Sequence, residues 1–238
     1  GFEALGEIIN GSVNPSGKTV DTFVKDLTET PYYNNMGLNA YTNVEDLKEQ
    51  IAANDPAYEG SMGFVNYAEG IYVGYKFYET AAEEGLIKYE DMVQYPFGYG
   101  LHYGETNYDG MSVDKAESDV NEPVEVFVNV TNDSRYTVNE IVQLYIRHVD
   151  AAEYEPGYQL KGIEVVKLEP YETKKVKLTL SPRDFAVIEE DGSCVAVPGI
   201  YEISAGGQQP DDRSTKLTGK RTERIDITRC GEKTGVDY

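Results

Sequence analysis

The chain has 238 residues, of which 42 are acidic and 21 are basic, so its formal net charge is −21. Nucleic acid and an anionic membrane surface would both repel such a chain, and the charge therefore excludes them as partners. With 40% hydrophobic and 11% aromatic residues, the chain can build a core, and it contains no apolar run of about 20 residues that would span a bilayer.

The first hundred residues contain the predicted helices. Phe2–Ile9 spaces its apolar residues at helical intervals, and Asn43–Ala53 begins with an Asn cap and acids in its first turn. Tyr72–Glu83 predicts a third helix, which Gly74 weakens. The polar loops between these helices complete no sheet, so this part is predicted to be the end of a domain whose beginning is missing. The location stays open: no signal peptide is visible, which favours the cytoplasm, unless the N-terminus is truncated.

From Met111 onward, apolar and polar residues alternate, as is typical of strands that bury one face. Turn signals such as Asp191-Gly192 separate the alternating runs. About seven short strands at this spacing predict an antiparallel β-sandwich of immunoglobulin or fibronectin type. The predicted strands lie near Val113 and at 124–130, 142–146, 162–168, 176–180, 201–205 and 225–227.

The glycine-rich stretch Gly11–Thr19 is a poor phosphate-binding loop. Five residues separate its two glycines where a P-loop has four, and Pro15 lacks one of the N–H donors that would contact phosphate. A second glycine pair, Gly98 and Gly100, lacks the third glycine of a dinucleotide site and is predicted to allow a tight path beside another part of the chain. We therefore predict no nucleotide and no other cofactor.

The sequence contains no set of residues spaced to bind a metal. Its two histidines, His102 and His148, lie far apart and have no partner at ligand spacing, so each is predicted to be structural. Adjacent acids such as Asp211-Asp212 are predicted to be solvated surface, because neighbouring carboxylates repel each other. Cys194 and Cys230 are predicted to be reduced thiols, although a single disulfide between them remains open.

Four segments, in order, resemble the C-terminal half of glycoside hydrolase family 3, the family of β-glucosidases and β-xylosidases. The first, Phe2–Phe23, contains an Asn-Pro-Ser-Gly-Lys stretch. The second is Tyr67-Ala-Glu-Gly-Ile-Tyr-Val-Gly-Tyr75, and the third is Tyr95-Pro-Phe-Gly-Tyr-Gly-Leu-His-Tyr103. The fourth combines Glu140–Tyr145 with Leu160-Lys-Gly162 and Leu168-Glu-Pro170, and is similar to the fibronectin type III-like domain that closes many family members.

This resemblance implies a fold of class α/β plus all-β. Residues 1–107 would be the C-terminal portion of the family's α/β sandwich domain, and residues 108–238 would be the fibronectin type III-like β-sandwich. Lys76 and His102 depart from the family pattern, which usually has Arg and Ser there. The long span from Leu27 to Phe64 is more similar to enzymes of anaerobic gut bacteria, some of which have their catalytic barrel after the sandwich.

The resemblance also implies an activity. Family members are exo-acting β-glycosidases that retain the anomeric configuration by means of a nucleophilic Asp in a separate barrel and an acid/base residue in an upstream segment. Neither motif occurs in this chain, so we predict that it contains no catalytic residue. It would be inactive alone and would need the missing barrel domain as a partner to act on a β-glucoside or oligosaccharide.

The residues predicted to lie at the substrate cleft are Tyr67, Glu69 and Tyr72. They would shape the site for the leaving group by stacking or hydrogen bonding. The alternative is that these side chains pack the domains of the complete enzyme together. A different class of function, a non-catalytic carbohydrate-binding or adhesion module, remains open because a β-sandwich needs no active site to bind a glycan. The incomplete first hundred residues count against such a module.

Overall fold

The computed structural model of the chain describes residues 1–33, 39–40, 43–54, 63–151 and 155–237. Its larger part is a β-sandwich, which confirms the predicted fold class. One sheet has the order β10-β7-β5 and the other the order β6-β14-β13-β8-β9. The strands of these two sheets are β5 (Thr106–Val113), β6 (Glu117–Asp119), β7 (Val124–Asn132), β8 (Val138–His148), β9 (Gln159–Leu168), β10 (Thr173–Leu180), β13 (Gly199–Gly206) and β14 (Glu223–Cys230).

The sandwich core follows directly from the alternation in the sequence. Along β7 the residues are in turn fully and partly buried from Val124 to Asn132. Its four buried valines join the inward residues of β8, β10 and β13 in one hydrophobic cluster. All strand pairs in the two sheets are antiparallel except β6 with β14, where Glu117 is the partner of Thr228. A small third sheet is formed by β11 (Ala186–Ile188), β12 (Cys194–Ala196) and β15 (Thr234–Gly235).

The described part of the first hundred residues contains four α-helices and two short strand pairs. The pairs are β1 with β4 and β2 with β3, both antiparallel. No helix in the described ranges is long and apolar enough to cross a membrane. The elements are α1 (Phe2–Ile9), β1 (Phe23–Val24), β2 (Asn39–Ala40), α2 (Val44–Asn54), β3 (Gly63–Phe64), α3 (Tyr75–Glu83), α4 (Tyr89–Met92) and β4 (Val93–Tyr95).

All three predicted helices are present, and the third is shorter than predicted. Helix α3 begins at Tyr75 rather than Tyr72 because its N-cap, Gly74, has a φ of 68°, which is outside the helical region. The strand predicted near Val113 is longer than expected and begins at Thr106. The sandwich has eight strands in its two sheets rather than seven, because β6 was too short to give an alternating pattern.

Two helices are absent from the sequence prediction: α4, which is a single turn, and a fifth helix in the sandwich part. Helix α5 (Asp212–Thr218) is capped by the side chain of Asp211, which accepts a hydrogen bond from the Ser214 N–H, and it ends at Gly219 in the left-handed conformation. These are ordinary helix start and stop signals. The seven residues between them are mostly polar and carry no periodic apolar pattern, so periodicity does not reveal this helix. Of the predicted pair of solvated surface acids, Asp212 is exposed, whereas Asp211 is partly buried and serves as the helix cap.

Candidate functional site

The segments that carry the family resemblance contact one another where the first hundred residues meet the sandwich. The ring of Tyr75 stacks on Phe97 with 4.4 Å between centroids and meets Tyr145 edge-on at 6.5 Å. The Tyr75 hydroxyl accepts a hydrogen bond of 2.9 Å from the backbone N–H of Leu160. One tyrosine thus joins all the resembling segments except the first.

Glycine is required at the centre of this contact. Gly98 has a φ of 74°, and a Cβ there would collide with the side chains of Gln143 and Tyr145. The close approach lets the Gln143 side-chain amide donate to the Gly98 carbonyl at 2.9 Å, while the Tyr145 hydroxyl donates to Gln143 Oε1 at 2.7 Å. A Cβ on Gly100 would similarly collide with the backbone of Gly17. The predicted tight path beside another part of the chain is confirmed.

The Asn-Pro-Ser-Gly-Lys stretch is tied to the same junction through Asn14. Its amide donates to the carbonyls of Tyr103 and Thr137 at 2.8 and 2.9 Å, and its Oδ1 accepts from the Tyr103 N–H at 2.7 Å. Farther along, the Thr19 N–H donates to the Tyr99 carbonyl. The polar groups of this stretch therefore bind other segments of the same chain.

A cavity of about 720 Å³ lies beside this junction, and the buried carboxylate of Glu140 is at its base. Glu140 accepts hydrogen bonds from the hydroxyls of Thr106 and Tyr108 at 3.2 and 2.9 Å. His102 Nε2 lies 3.2 Å from its Oε2, and Lys18 Nζ lies 3.9 Å from its Oε1. Burial alone would raise the pKa of Glu140, but the contacts with His102 and Lys18 prevail and hold it below its usual value.

A second cleft, of about 650 Å³, lies between the helices and the sandwich. The buried carboxyl Oε1 of Glu79 faces it from α3, and Tyr89 and Asp211 line the same cleft. Burial, reinforced by the neighbouring charge of Asp211, raises the pKa of Glu79 well above its usual range. Burial also raises the pKa of Asp211, against the hydrogen bonds from Ser214. Glu79 therefore holds its proton more tightly than an exposed glutamate does.

The raised pKa of Glu79 makes the stability of the chain depend on pH. The folded state retains a proton that the unfolded state releases above about pH 4. The free energy of unfolding therefore decreases as pH rises through the folded pKa. We expect Glu79→Gln, which is neutral at every pH, to melt a few degrees above the unmodified chain at about pH 8 and close to it at about pH 4. Thermal melts at both pH values measure the difference.

The control for this variant is Glu84→Gln, on the exposed carboxylate at the end of the same helix. It makes the same chemical change without burial, so its melting temperature should follow that of the unmodified chain at both pH values. A Glu79→Gln variant that is less stable at about pH 8 would show that the folded protein needs the charged carboxylate.

The three residues predicted for the substrate cleft lie in one turn-rich segment before α3. The Gly70 N–H donates to the Tyr67 carbonyl, and the Tyr72 N–H donates to the Glu69 carbonyl, so the chain reverses direction here. Tyr67 is 64% exposed, whereas Glu69 and Tyr72 are partly buried. Glu69 Oε2 is buried without a hydrogen-bond partner. The segment thus brings the three residues together and presents Tyr67 to solvent.

Two further surfaces expose unusual amounts of apolar side chain. Helix α1 buries none of its residues, and Phe2 and Ile9 are 92% and 71% exposed. A separate shallow groove is lined by Val20, Phe23, Leu101 and the rings of Tyr95 and Tyr99. Isolated exposed apolar residues are common, but a whole apolar helix face and an apolar groove mark places where proteins make contacts.

The described histidine, cysteine and acidic side chains form no group of three or more that could bind a metal. His148 stacks on Tyr201 at 4.4 Å, and its Nδ1 lies 3.0 Å from Glu155 Oε2. Cys194 and Cys230 are free thiols in the structure.

The sequence indicated none of the groups around Glu140 and Glu79, because each set comes from segments far apart in the chain. The only available signal was that Glu140 belongs to a resembling segment.

Comparison with protein families finds that residues 140–209 match the fibronectin type III-like domain. A thermostable β-glucosidase B from Acetivibrio thermocellus is 36% identical over 183 residues, which are 77% of this chain and 20% of that enzyme. An exo-α-(1→6)-L-arabinopyranosidase from Bifidobacterium breve is 31% identical over 216 residues, which are 90% of this chain and 24% of that enzyme.

Among solved structures, too, the chain is similar to part of a β-glucosidase. A β-glucosidase of glycoside hydrolase family 3 from Bifidobacterium adolescentis superposes with a TM-score of 0.70 and is 28% identical. The superposition covers 95% of this chain and 28% of that enzyme. The chain thus spans about a fifth to a quarter of the length of the curated relatives named above.

Proposed function

Because the chain corresponds to the C-terminal part of a glycoside hydrolase family 3 enzyme with its fibronectin type III-like domain, we propose that it acts as the non-catalytic C-terminal part of a retaining exo-β-glycosidase. β-Glucosidase is the preferred activity, since the relatives from Acetivibrio and B. adolescentis are β-glucosidases. The arabinopyranosidase relative means that the sugar itself has to be determined by experiment.

The observation that carries this proposal is the junction built by the resembling segments. Their polar groups are used for contacts within the chain, as the hydrogen bonds of Asn14 and Gln143 illustrate. A rigid junction of this kind suits a part that supports an active site formed elsewhere. We propose the boundary between the two parts at residue 108, with the end of the α/β sandwich domain before it and the fibronectin type III-like domain after it.

The exposed apolar surfaces agree with such a supporting role. Helix α1 and the groove at Val20 and Phe23 would be covered by the catalytic barrel and the rest of the α/β domain. Burial of these side chains would contribute about 25 cal/mol per Å² of apolar surface to the association.

The purified chain tests the proposal through its activity. On an aryl β-glucoside we expect no turnover above the buffer background, because neither the nucleophile motif nor the acid/base motif of the family occurs in this chain. The complete enzyme, assayed at equal molarity, serves as the positive control. Turnover by the chain alone that survives repeated purification would contradict the proposed non-catalytic role.

Tyr67, Glu69 and Tyr72 are proposed to lie at the substrate cleft of the complete enzyme and to shape the site for the leaving group. We expect Tyr67→Ala in that enzyme to lower kcat/KM about tenfold for aromatic leaving groups and less for small alkyl ones, because a stacking surface is lost. Kinetics across a series of glucosides measures this. An equal loss for every leaving group would indicate that Tyr67 only packs domains together; Tyr136→Ala, on an exposed sandwich loop, is the control.

A further inference from the structure

Tyr75 lies where the segment that carries Tyr67, Glu69 and Tyr72 ends and helix α3 begins. The backbone hydrogen bonds that the structure describes within residues 66–72 join positions only two or three apart, as between the Gly70 N–H and the Tyr67 carbonyl. Such turns set the local conformation of the segment, but they do not fix its place on the rest of the molecule. That place depends on the residues that attach the segment, and Tyr75 is one of them.

The side chain of Tyr75 is attached to the sandwich through both its hydroxyl and its ring. The hydroxyl accepts a hydrogen bond of 2.9 Å from the Leu160 N–H on β9, and the ring meets Tyr145 of β8 edge-on. The same ring stacks on Phe97 with an interplanar angle of 13°. A ring held by a stack, an edge contact and a hydrogen bond has little freedom to slide, so Tyr75 fixes the first turn of α3 on the sandwich.

An irregularity at the edge of the sheet accompanies this contact. Strand β9 is the outermost strand of the five-stranded sheet and pairs with β8. The register shifts between Leu144 and Tyr145 of β8, opposite which β9 has one extra residue, Lys161. An extra residue interrupts the ladder locally. Next to this interruption, the Leu160 N–H donates to a residue of α3.

Helix α3 is held on the sandwich at two further points. The Thr80 hydroxyl accepts a hydrogen bond of 3.0 Å from the Gly157 N–H, and Glu83 forms an ion pair with Arg147 of β8. The sandwich therefore contacts the helix from its first residue to its last. Whatever fixes the first turn of α3 also fixes the segment that enters it.

We propose that Tyr75 is a positioning residue for the substrate cleft. Through Leu160 and Tyr145, the sandwich would hold residues 66–72 in the place from which they shape the site for the leaving group. This inference rests on the role proposed above for that segment, and it gives the sandwich a part in substrate selection. Tyr75 acts through the segment and does not itself touch the substrate.

The first test is hydrogen exchange in the whole chain. Tyr75→Phe removes the hydroxyl that accepts the Leu160 N–H and keeps the ring contacts. We expect the Gly70 and Tyr72 amides to exchange about fivefold faster, since one hydrogen bond no longer holds their segment. Tyr145→Phe is the matched control, because it removes a hydroxyl at the same junction that donates to Gln143 instead. It should leave both exchange rates unchanged.

The second test is kinetics of the complete enzyme on a series of glucosides. We expect Tyr75→Phe to raise KM about threefold to fivefold for aromatic leaving groups and to leave KM for a methyl glucoside unchanged, with little change in kcat. Thermal melts establish that each variant is folded. A purely structural role would lower the melting temperature without changing this selectivity, and Tyr145→Phe shows what such a loss looks like.

Two results would overturn the proposal. One is unchanged exchange of the Gly70 and Tyr72 amides in folded Tyr75→Phe. The other is unchanged selectivity in Tyr75→Phe when Tyr67→Ala is selective for the leaving group, because the segment would then act there without help from Tyr75. A Tyr67→Ala enzyme without selectivity marks the different case in which the role proposed for the segment fails, and this inference fails with it.

Discussion

Replacing Glu140 with alanine is expected to destabilise the chain by about 3–5 kcal/mol, because it leaves buried polar groups without their carboxylate. Four side chains of the junction contact this carboxylate, among them the hydroxyls of Thr106 and Tyr108. His102 and Lys18, which are almost as buried as Glu140 itself, would face an empty space. Chemical denaturation of the variant and of the unmodified chain measures the loss.

Glu125→Ala is the matched control for this experiment. Glu125 also lies on a sandwich strand and pairs with a lysine, Lys177, at 2.8 Å. That distance is shorter than the 3.9 Å between Glu140 and Lys18, but both partners are substantially exposed. Exposed pairs contribute about 0–1 kcal/mol, so the control should lose much less stability. Equal losses in the two variants would show that burial of Glu140 does not matter.

Because Glu140 is charged, the contribution of its carboxylate to the free energy of unfolding depends on pH. Its pKa is lower in the folded state than in the unfolded state, so the stabilisation is complete above about pH 4 and is lost as pH falls through the folded pKa. Glu140→Gln, which keeps the shape and loses the charge, should therefore approach the stability of the unmodified chain in acid. Glu79→Gln should show its difference on the alkaline side, since burial shifts that pKa upward.

Arg229→Ala is expected to cost a similar amount, about 3–5 kcal/mol. Arg229 is 1% exposed on β14 and has no carboxylate within ion-pair distance in the described structure. Its guanidinium donates to the Ser118 hydroxyl and to the carbonyls of Val120 and Glu122, and it lies 4.5 Å from the ring centroid of Phe185. Alanine would leave the two carbonyls without their side-chain donor and open a cavity beside the ring.

Arg221→Ala is the control, because Arg221 is exposed and makes no hydrogen bond or ion pair that the described structure records. Its effect should stay within about 0.5 kcal/mol. Arg229→Lys separates charge from geometry, since an ammonium cannot reproduce the divergent donors of a guanidinium. A loss below about 1 kcal/mol in Arg229→Ala would mean that water replaces the missing donors.

The strands of the sandwich were predictable because their periodicity is itself a record of burial. In β7 the alternation of Val124 with Glu125 in the sequence is the alternation of buried with partly exposed residues in the structure. Helix α1 was also predictable from its apolar periodicity, although its apolar face is exposed in the structure. Local chemistry thus determines the type of element, while the partner that an apolar face meets depends on the rest of the molecule.

The polar clusters were not predictable in this way. Lys18, His102 and Glu140 are far apart in the sequence, and only the folded chain brings them to one cavity. Glu79 lies on a correctly predicted helix, but nothing in its local sequence states that its carboxyl is buried beside Asp211. The resemblance identified the junction segments, and their contacts with one another required the structure.

The parallel pairing of β6 with β14 has a consequence for the synthesis of the protein. The strand that fills the gap between β6 and β13 is β14, so the five-stranded sheet remains divided until residues 223–230 have been made. A ribosome-bound chain that stops short of Glu223 leaves an edge of β13 open to pairing with other chains. Binding of a chaperone to nascent chains should therefore decrease sharply once β14 leaves the exit tunnel.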